Sequence, residues 1–219
     1  MARNGTGKLR ASPHMKTTKF LICAISIAAA VAAARANAQN LSATLLGVSP
    51  GMAVNGTFDN GGYVSDIPSG VLHFTEFDAF CVEPEEELSF PETLIYQIQD
   101  PGMLANSETI ARLVGGFLAS SQSAQDAAAV QWAIWEITTE TLSGPSLIDG
   151  NVRITTPVGQ STATLANQYL ANVNNYTPVS LTYLTNSGRQ DVVTWNVVPE
   201  PGSLVLGAFS AVLLIRRRR

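Results

Sequence analysis

The positive charges of this chain lie almost entirely at its two ends, and this distribution limits the folded part to the region between them. Six of the thirteen lysines and arginines precede residue 39, and four more form the last four residues. All seventeen acidic residues lie between Asp59 and Glu200, where no lysine occurs. The acidic middle disfavours nucleic acid and anionic lipid as partners.

The composition also argues against several kinds of site. Two cysteines cannot supply a four-cysteine zinc site, and two histidines argue against a multi-histidine centre. No phosphate-binding glycine loop or nucleotide fingerprint occurs. We therefore expect no metal and no cofactor. The acidic run at residues 83–87 could bind calcium, although such a run is usually a solvated loop.

The N-terminal region has the pattern of a secretory signal peptide. Two lysines precede an apolar run at residues 20–34, and a small-residue cleavage pattern ends at Ala38. The pattern predicts that residues 1–38 are the signal, with Met15 as the start and cleavage by signal peptidase before Gln39. The alternatives are a core helix or an anchor that is retained.

The last 22 residues have three parts in order. Pro199, Glu200 and Pro201 are held extended by the two prolines. An apolar run of 14 residues follows, shorter than the roughly 20 residues of a full membrane span. Arginines that include Arg216 and Arg217 end the chain and favour the cytoplasmic side.

This order of parts resembles the PEP-CTERM sorting signal of bacteria that make extracellular polysaccharide. The resemblance covers residues 198–219 and implies that an exosortase recognises and removes the tail. The membrane contact would be transient, through the apolar run. Together with the signal peptide, it implies an exported protein of the cell envelope, cell surface or extracellular matrix. The alternative is a plain single-span anchor.

Residues 39–197 are expected to form one α+β domain. The order of elements, strands and then helices and then strands, favours a β-sandwich or barrel-like sheet with an inserted helical segment, flanked by the signal peptide and the sorting helix. Apolar patterns and turn signals predict strands at residues 41–48, 71–82, 93–99, 179–184 and 192–197, and helices at 108–120, 123–140 and 164–172. The last helix but one begins at Ser123 with Asp126 three residues later, close to a capping box.

Two residues of this domain stand out chemically. Cys81 is the only cysteine of the expected mature chain, so it has no intramolecular disulfide partner. Gln131 lies on an apolar helical stripe, where a polar amide costs free energy unless it has a partner. Its amide should lie over Ala127 and Ala128, whose small side chains let another strand approach closely.

The segments around these two residues resemble the thioester domains of bacterial surface adhesins. The matching segments are Phe80-Cys81-Val82-Glu83 and Gln131-Trp132-Ala133-Ile134-Trp135. The resemblance implies an internal thioester between Cys81 and Gln131, formed with loss of ammonia and shielded by a pocket of Trp132, Trp135 and Phe80. A nucleophile on a surface, extracellular polysaccharide or matrix would open it once, so the protein would be a covalent binder and not an enzyme. One departure is Val130, where adhesins usually have threonine.

Two other functions remain open at the level of sequence. In the first, Cys81 and Gln131 only pack, and the domain is a non-covalent exopolysaccharide- or matrix-binding module. In the second, Cys81 and His73 are the nucleophile and base of a hydrolase. On one continuous strand, however, eight residues separate these two side chains by about 26 Å.

Overall fold

The computed structural model describes residues 40–58, 62–86, 88–139, 145–155 and 157–195. The predicted cleavage site at Ala38 and Gln39 lies outside the described residues. So does the predicted sorting tail, including its motif residues Pro199, Glu200, Pro201, Arg216 and Arg217. Within the described ranges, no helix is both long and apolar enough to cross a membrane.

The described elements are seven strands and three α-helices. The strands are β1 (Asn40–Phe58), β2 (Gly62–Phe74), β3 (Asp78–Cys81), β4 (Glu92–Gln99), β5 (Arg153–Ile154), β6 (Thr182–Thr185) and β7 (Val192–Thr194). The helices are α1 (Ser107–Ala119), α2 (Ala124–Thr139) and α3 (Pro157–Ala171), with short 3-10 turns at Pro101–Met103 and Val173–Asn175. The three helices all fall between β4 and β6 along the chain, which confirms the predicted α+β class with inserted helices.

All strand pairings in the described sheet are antiparallel. The strand order is β2-β3-β7-β6-β4-β1-β5, and β1 also pairs with β2. Six strands therefore form a closed ring of pairings, with β5 attached to β1. The long strand β1 makes this possible, because its first residues pair with β4 and the remainder pairs with β2.

The predicted single strand at residues 71–82 is wrong. The chain turns back after Phe74, whose N–H bonds to the carbonyl of Phe77 at 2.9 Å, and β3 then pairs with β2 with Leu72 opposite Ala79. The apolar pattern conceals this turn because Phe74 and Phe77 flank it and stack on each other in the core, with ring centroids 4.6 Å apart. The turn also means that the extended-strand separation of His73 and Cys81 does not apply.

Helix α2 runs through the interior and carries the candidate glutamine. Eleven consecutive residues, 126–136, are buried, so every polar side chain among them depends on partners within the protein. The helix packs on β1, β2 and α3. Its predicted capping box is confirmed: the Asp126 N–H bonds to Ser123 Oγ at 3.1 Å, and the Ser123 N–H bonds to Asp126 Oδ2 at 3.1 Å.

Candidate functional site

The structure brings Cys81 and Gln131 together, although they are 50 residues apart in the chain. The backbone N–H of Cys81 donates to Oε1 of Gln131 at 3.0 Å. The Nε2 group of Gln131 donates to the backbone carbonyl of Cys81 at 2.8 Å. Both residues are about 1% exposed. The side-chain amide thus lies directly against the residue that bears the thiol.

The sheet explains why the backbone of Cys81 needs this amide. The N–H of Val82 bonds to the backbone carbonyl of Asp191, the residue just before β7. Neighbouring residues of an antiparallel strand point their backbone groups to opposite sides, so the N–H and carbonyl of Cys81 point away from β7. On that side the pairing of β2 with β3 stops at Ala79. Gln131 therefore supplies the donor and acceptor that a neighbouring strand would otherwise supply.

The Cys81 thiol is held apart from this pair of bonds. Its Sγ donates to the backbone carbonyl of Glu83 at 3.0 Å. Burial raises the pKa of the thiol to about 12, and the carboxylates of Glu83 and Asp191 also raise it. The influence of Trp135 and the hydrogen bond to the Glu83 backbone lower the pKa but do not offset burial. At neutral pH the sulfur is thus a thiol and not a thiolate.

Helix α2 carries two tryptophans one turn apart, and the surroundings of their indole N–H groups differ. The Nε1 group of Trp132 donates to Ser69 Oγ at 2.9 Å. The Nε1 group of Trp135 is buried without a hydrogen bond of ordinary geometry, and its contact with the Cys81 thiol acts to lower the pKa of that thiol. Sulfur is a large and weak acceptor, which is consistent with a contact that falls short of a conventional hydrogen bond.

A groove of about 550 Å³ gives access to the site. Cys81, Gln131 and Trp135 are among the residues that line it. The opposite walls come from β2 and from the segment after β3, with Val64 and Phe90 as exposed apolar residues. The described lining carries three exposed carboxylates, Asp66, Glu85 and Glu86, and no lysine, arginine or histidine.

The other two predicted pocket residues lie elsewhere. Trp132 stacks on Phe58 with ring centroids 5.0 Å apart and is not part of the groove lining. Phe80 packs on Phe117 and Trp195, each 5.3 Å away between centroids, and it is also outside the groove lining. Since successive side chains on a strand point to opposite faces, Phe80 and its neighbour Cys81 diverge.

His73 is not brought to the groove. Its Nδ1 lies 2.7 Å from Oδ1 of Asp78, its neighbour in the β2–β3 register, and the side chain is half-exposed. Among the described residues, no group of three or more histidine, cysteine, aspartate or glutamate side chains could hold a metal ion. Glu87, at the end of the acidic run, lies outside the described residues.

Sequence reasoning missed most of the groove. It did not single out the β2 wall at residues 62–68, and it considered the other wall only through the acidic run at residues 83–87, as a possible calcium site. It also did not identify Ser69, the acceptor of the Trp132 N–H. The sequence does contain one signal for the wall, namely apolar residues such as Val64 and Phe90 next to turn residues. The acceptor for the thiol is a backbone carbonyl, so side-chain identity could not reveal it.

Comparison of the chain with protein families, curated proteins and solved structures found no match.

Proposed function

We propose that this is an exported surface or matrix protein whose domain forms an internal thioester between Cys81 and Gln131 and uses it once to bind a nucleophile covalently. The observation that carries the proposal is the pair of hydrogen bonds that fixes the Gln131 amide against Cys81, at the bottom of an accessible groove. These bonds hold the Gln131 amide beside the residue that bears the thiol, so the sulfur needs only to leave the Glu83 carbonyl to approach the amide carbon.

The proposed bond formation balances as follows. The Cys81 sulfur adds to the Gln131 side-chain carbon, and negative charge develops on Oε1. The backbone N–H of Cys81 already donates to that oxygen at 3.0 Å, which is where such a donor stabilises an oxyanion. The thiol proton passes to the amide nitrogen, which leaves as ammonia, and a sulfur–carbon bond remains.

In the proposed capture step, nitrogen is the attacking atom and sulfur is the leaving group. A target amine adds to the same carbon, the sulfur–carbon bond breaks, and the proton lost from the amine returns to sulfur. The target is then joined to Gln131 by an amide bond. The three exposed carboxylates along the groove favour an ammonium-bearing target over an anionic one. The sequence has no lysine between Gln39 and Pro201, so no internal ε-amine of that region can consume the bond.

The expected sorting signals supply the setting for this chemistry. The signal peptide and the exosortase-type tail would deliver the domain to the cell envelope, cell surface or matrix. Replacing Pro199 and Glu200 with alanine should block removal of the tail and change where the protein accumulates. Unchanged processing and location in that variant would contradict the sorting proposal.

The experiment for the thioester is the intact mass of the freshly purified protein at mildly acidic pH. A thioester lowers the mass by about 17 Da relative to the sequence, through loss of ammonia. Methylamine should remove the deficit and release one thiol. Cys81→Ser and Gln131→Glu should both lack the deficit. Gln190→Ala is the matched control, because Gln190 lines the same groove but bonds to the Glu86 carbonyl, and it should keep the deficit.

A second function is favoured by a different reading of the same bonds. The Gln131 amide uses both of its groups on the Cys81 backbone, and the thiol is strongly protonated. A non-covalent exopolysaccharide- or matrix-binding module would need no more than this clamp between helix and strand. A full mass, together with a free thiol that methylamine leaves unchanged, would select this function and exclude the thioester.

A further inference from the structure

The indole N–H of Trp135 is an exception among the polar groups of helix α2. Trp135 is only 3% exposed, and buried N–H groups almost always have a hydrogen-bond partner. Trp132, one turn away and fully buried, satisfies its N–H on Ser69. The N–H of Trp135 has no such bond, although Trp135 lines the groove.

This N–H and the sulfur that the proposed chemistry uses belong to the same site, because Trp135 and Cys81 both line the groove. Trp135 also acts to lower the pKa of the Cys81 thiol, which is the direction expected of a donor. A neutral thiol accepts hydrogen bonds weakly, whereas a charged acceptor forms bonds about twice as strong. The N–H therefore gains its full bond only when negative charge is present on sulfur.

Few other groups near the sulfur can stabilise that charge. Glu83, just after β3, and Asp191, just before β7, both oppose it as carboxylates. From β4, Tyr96 is the other titratable group coupled to Cys81, and its phenol is held neutral because burial raises its pKa. From α2, the neighbours are Gln131 and Trp135, which are both uncharged. Of these groups, Trp135 is the side chain that presents a hydrogen-bond donor to sulfur.

We propose that the indole N–H of Trp135 donates a hydrogen bond to the Cys81 sulfur as negative charge develops on it, and so assists opening of the thioester. As the target amine adds and the sulfur–carbon bond breaks, the bonding electron pair moves to sulfur. The N–H then donates a hydrogen bond to the negatively charged sulfur. The proton released by the amine then neutralises the sulfur, and the strong bond is lost again. This inference rests on the proposed function. It gives Trp135 the role of a hydrogen-bond donor to sulfur, in addition to shielding the thioester.

The test compares two substitutions in the full-length protein. Trp135→Phe removes the N–H and keeps an aromatic ring. Trp132→Phe is the matched control, because it removes an N–H from the same helix at a position outside the groove lining. The readout is the rate at which methylamine abolishes the mass deficit. We expect Trp135→Phe to slow opening by about tenfold and Trp132→Phe to stay close to wild type. Equal rates in Trp135→Phe and wild type would overturn the inference.

A second readout separates this inference from the thioester itself. Once the thiol is free, the rate of its alkylation by iodoacetamide follows the thiolate fraction. Trp135→Phe should be alkylated more slowly than Trp132→Phe at each pH between about 8 and 10. If no mass deficit is ever found, this slower alkylation still supports the donor role while the thioester function fails. Alkylation at the same rate in both variants overturns the donor role.

A third variant guards against a change in packing. Benzothienylalanine at position 135 keeps both fused rings and lacks only the N–H. It should reproduce the slower opening and slower alkylation of Trp135→Phe. If it behaves as wild type does, the effect of phenylalanine comes from lost ring contacts, and the proposal is wrong.

Discussion

Trp132 and Trp135 lie one turn apart on the same buried helix, yet their surroundings differ. Trp132 is closely packed and its polar group is satisfied. Its N–H bonds to Ser69, its ring stacks on Phe58, and Gly56 leaves space for the edge of the ring. Trp135 lines the groove together with Cys81, and its N–H is buried without a hydrogen bond. Within one helix, the N–H of the tryptophan in the packed interior is therefore satisfied, whereas the N–H of the tryptophan at the groove is not.

The largest expected effect comes from the glutamine on the Trp135 side. Gln131→Ala leaves a buried N–H and a buried carbonyl of Cys81 without partners and also creates a cavity. Together these effects should lower the free energy of unfolding by about 3–5 kcal/mol. Urea denaturation measures the loss. Gln168→Ala, at an exposed position of helix α3, is the control and should change stability by less than about 0.5 kcal/mol. A small loss at Gln131 would contradict the clamp.

The next effect tests the close packing on the Trp132 side. A Cβ at Gly56 would collide with the Trp132 ring and with the Arg153 carbonyl. Gly56→Ala should therefore destabilise the protein by about 2–3 kcal/mol. Gly62→Ala is the matched control, since the nearest atom to its Cβ would be 3.6 Å away. Similar melting temperatures for the two variants would show that the Trp132 side is not tightly packed.

A smaller loss of stability is expected from Ser69→Ala. This substitution removes the acceptor of the Trp132 N–H and leaves that group buried without a hydrogen bond, as the N–H of Trp135 already is. The expected loss is about 1–2 kcal/mol, measured by urea denaturation against Ser42→Ala, an exposed serine of β1. Methylamine reactivity should not change in Ser69→Ala, because this N–H does not face the groove. Altered reactivity would mean that the two sides are coupled.

The smallest effect is a pH dependence that belongs to the Trp135 side. In protein with a free Cys81 thiol, burial raises the pKa from about 9 to about 12. Between these values the folded state binds more protons than the unfolded state, so stability falls as pH rises. From about pH 9 to pH 10 the loss should be about 1 kcal/mol.

Two comparisons make this pH dependence specific. Cys81→Ala should have a smaller slope than the free-thiol protein between about pH 8 and 10, by the share that the thiol contributes. The slope that remains belongs to the tyrosines whose pKa values burial raises, Tyr96, Tyr169, Tyr176 and Tyr183. Protein that retains the thioester should match Cys81→Ala, because it has no thiol to titrate. An unchanged slope in Cys81→Ala would assign the whole effect to another group.

The sequence predicted the parts of this site better than its surroundings. Helical spacing placed the Gln131 amide where a strand could approach, and the capping box marked the start of α2 to within one residue. Both are local patterns of the chain. The groove could not be predicted in the same way, because it depends on a turn after Phe74, within residues 71–82, whose apolar and aromatic pattern predicts a single strand.

The hydrogen-bond partners were the least predictable part. The Cys81 thiol bonds to a backbone carbonyl, and the Trp132 N–H bonds to a serine 63 residues away. Neither leaves a periodic signal in the sequence. The difference between the two tryptophans depends on such distant partners, and so the sequence alone grouped both with Phe80 as one shielding pocket.

The position of β7 has a mechanical consequence for a protein proposed to hold a target against pulling. The last strand of the described residues, Val192–Thr194, pairs directly with β3, with Val192 opposite Cys81. If the C-terminal end is the tether, tension from it reaches β3 across a single ladder, and the clamp passes it on to Gln131 in α2. Strand β6, the other neighbour of β7, shares the load. Strands β1, β4 and β5 pair with neither β3 nor β7, so they can remain folded while β3, β6 and β7 bear the strain.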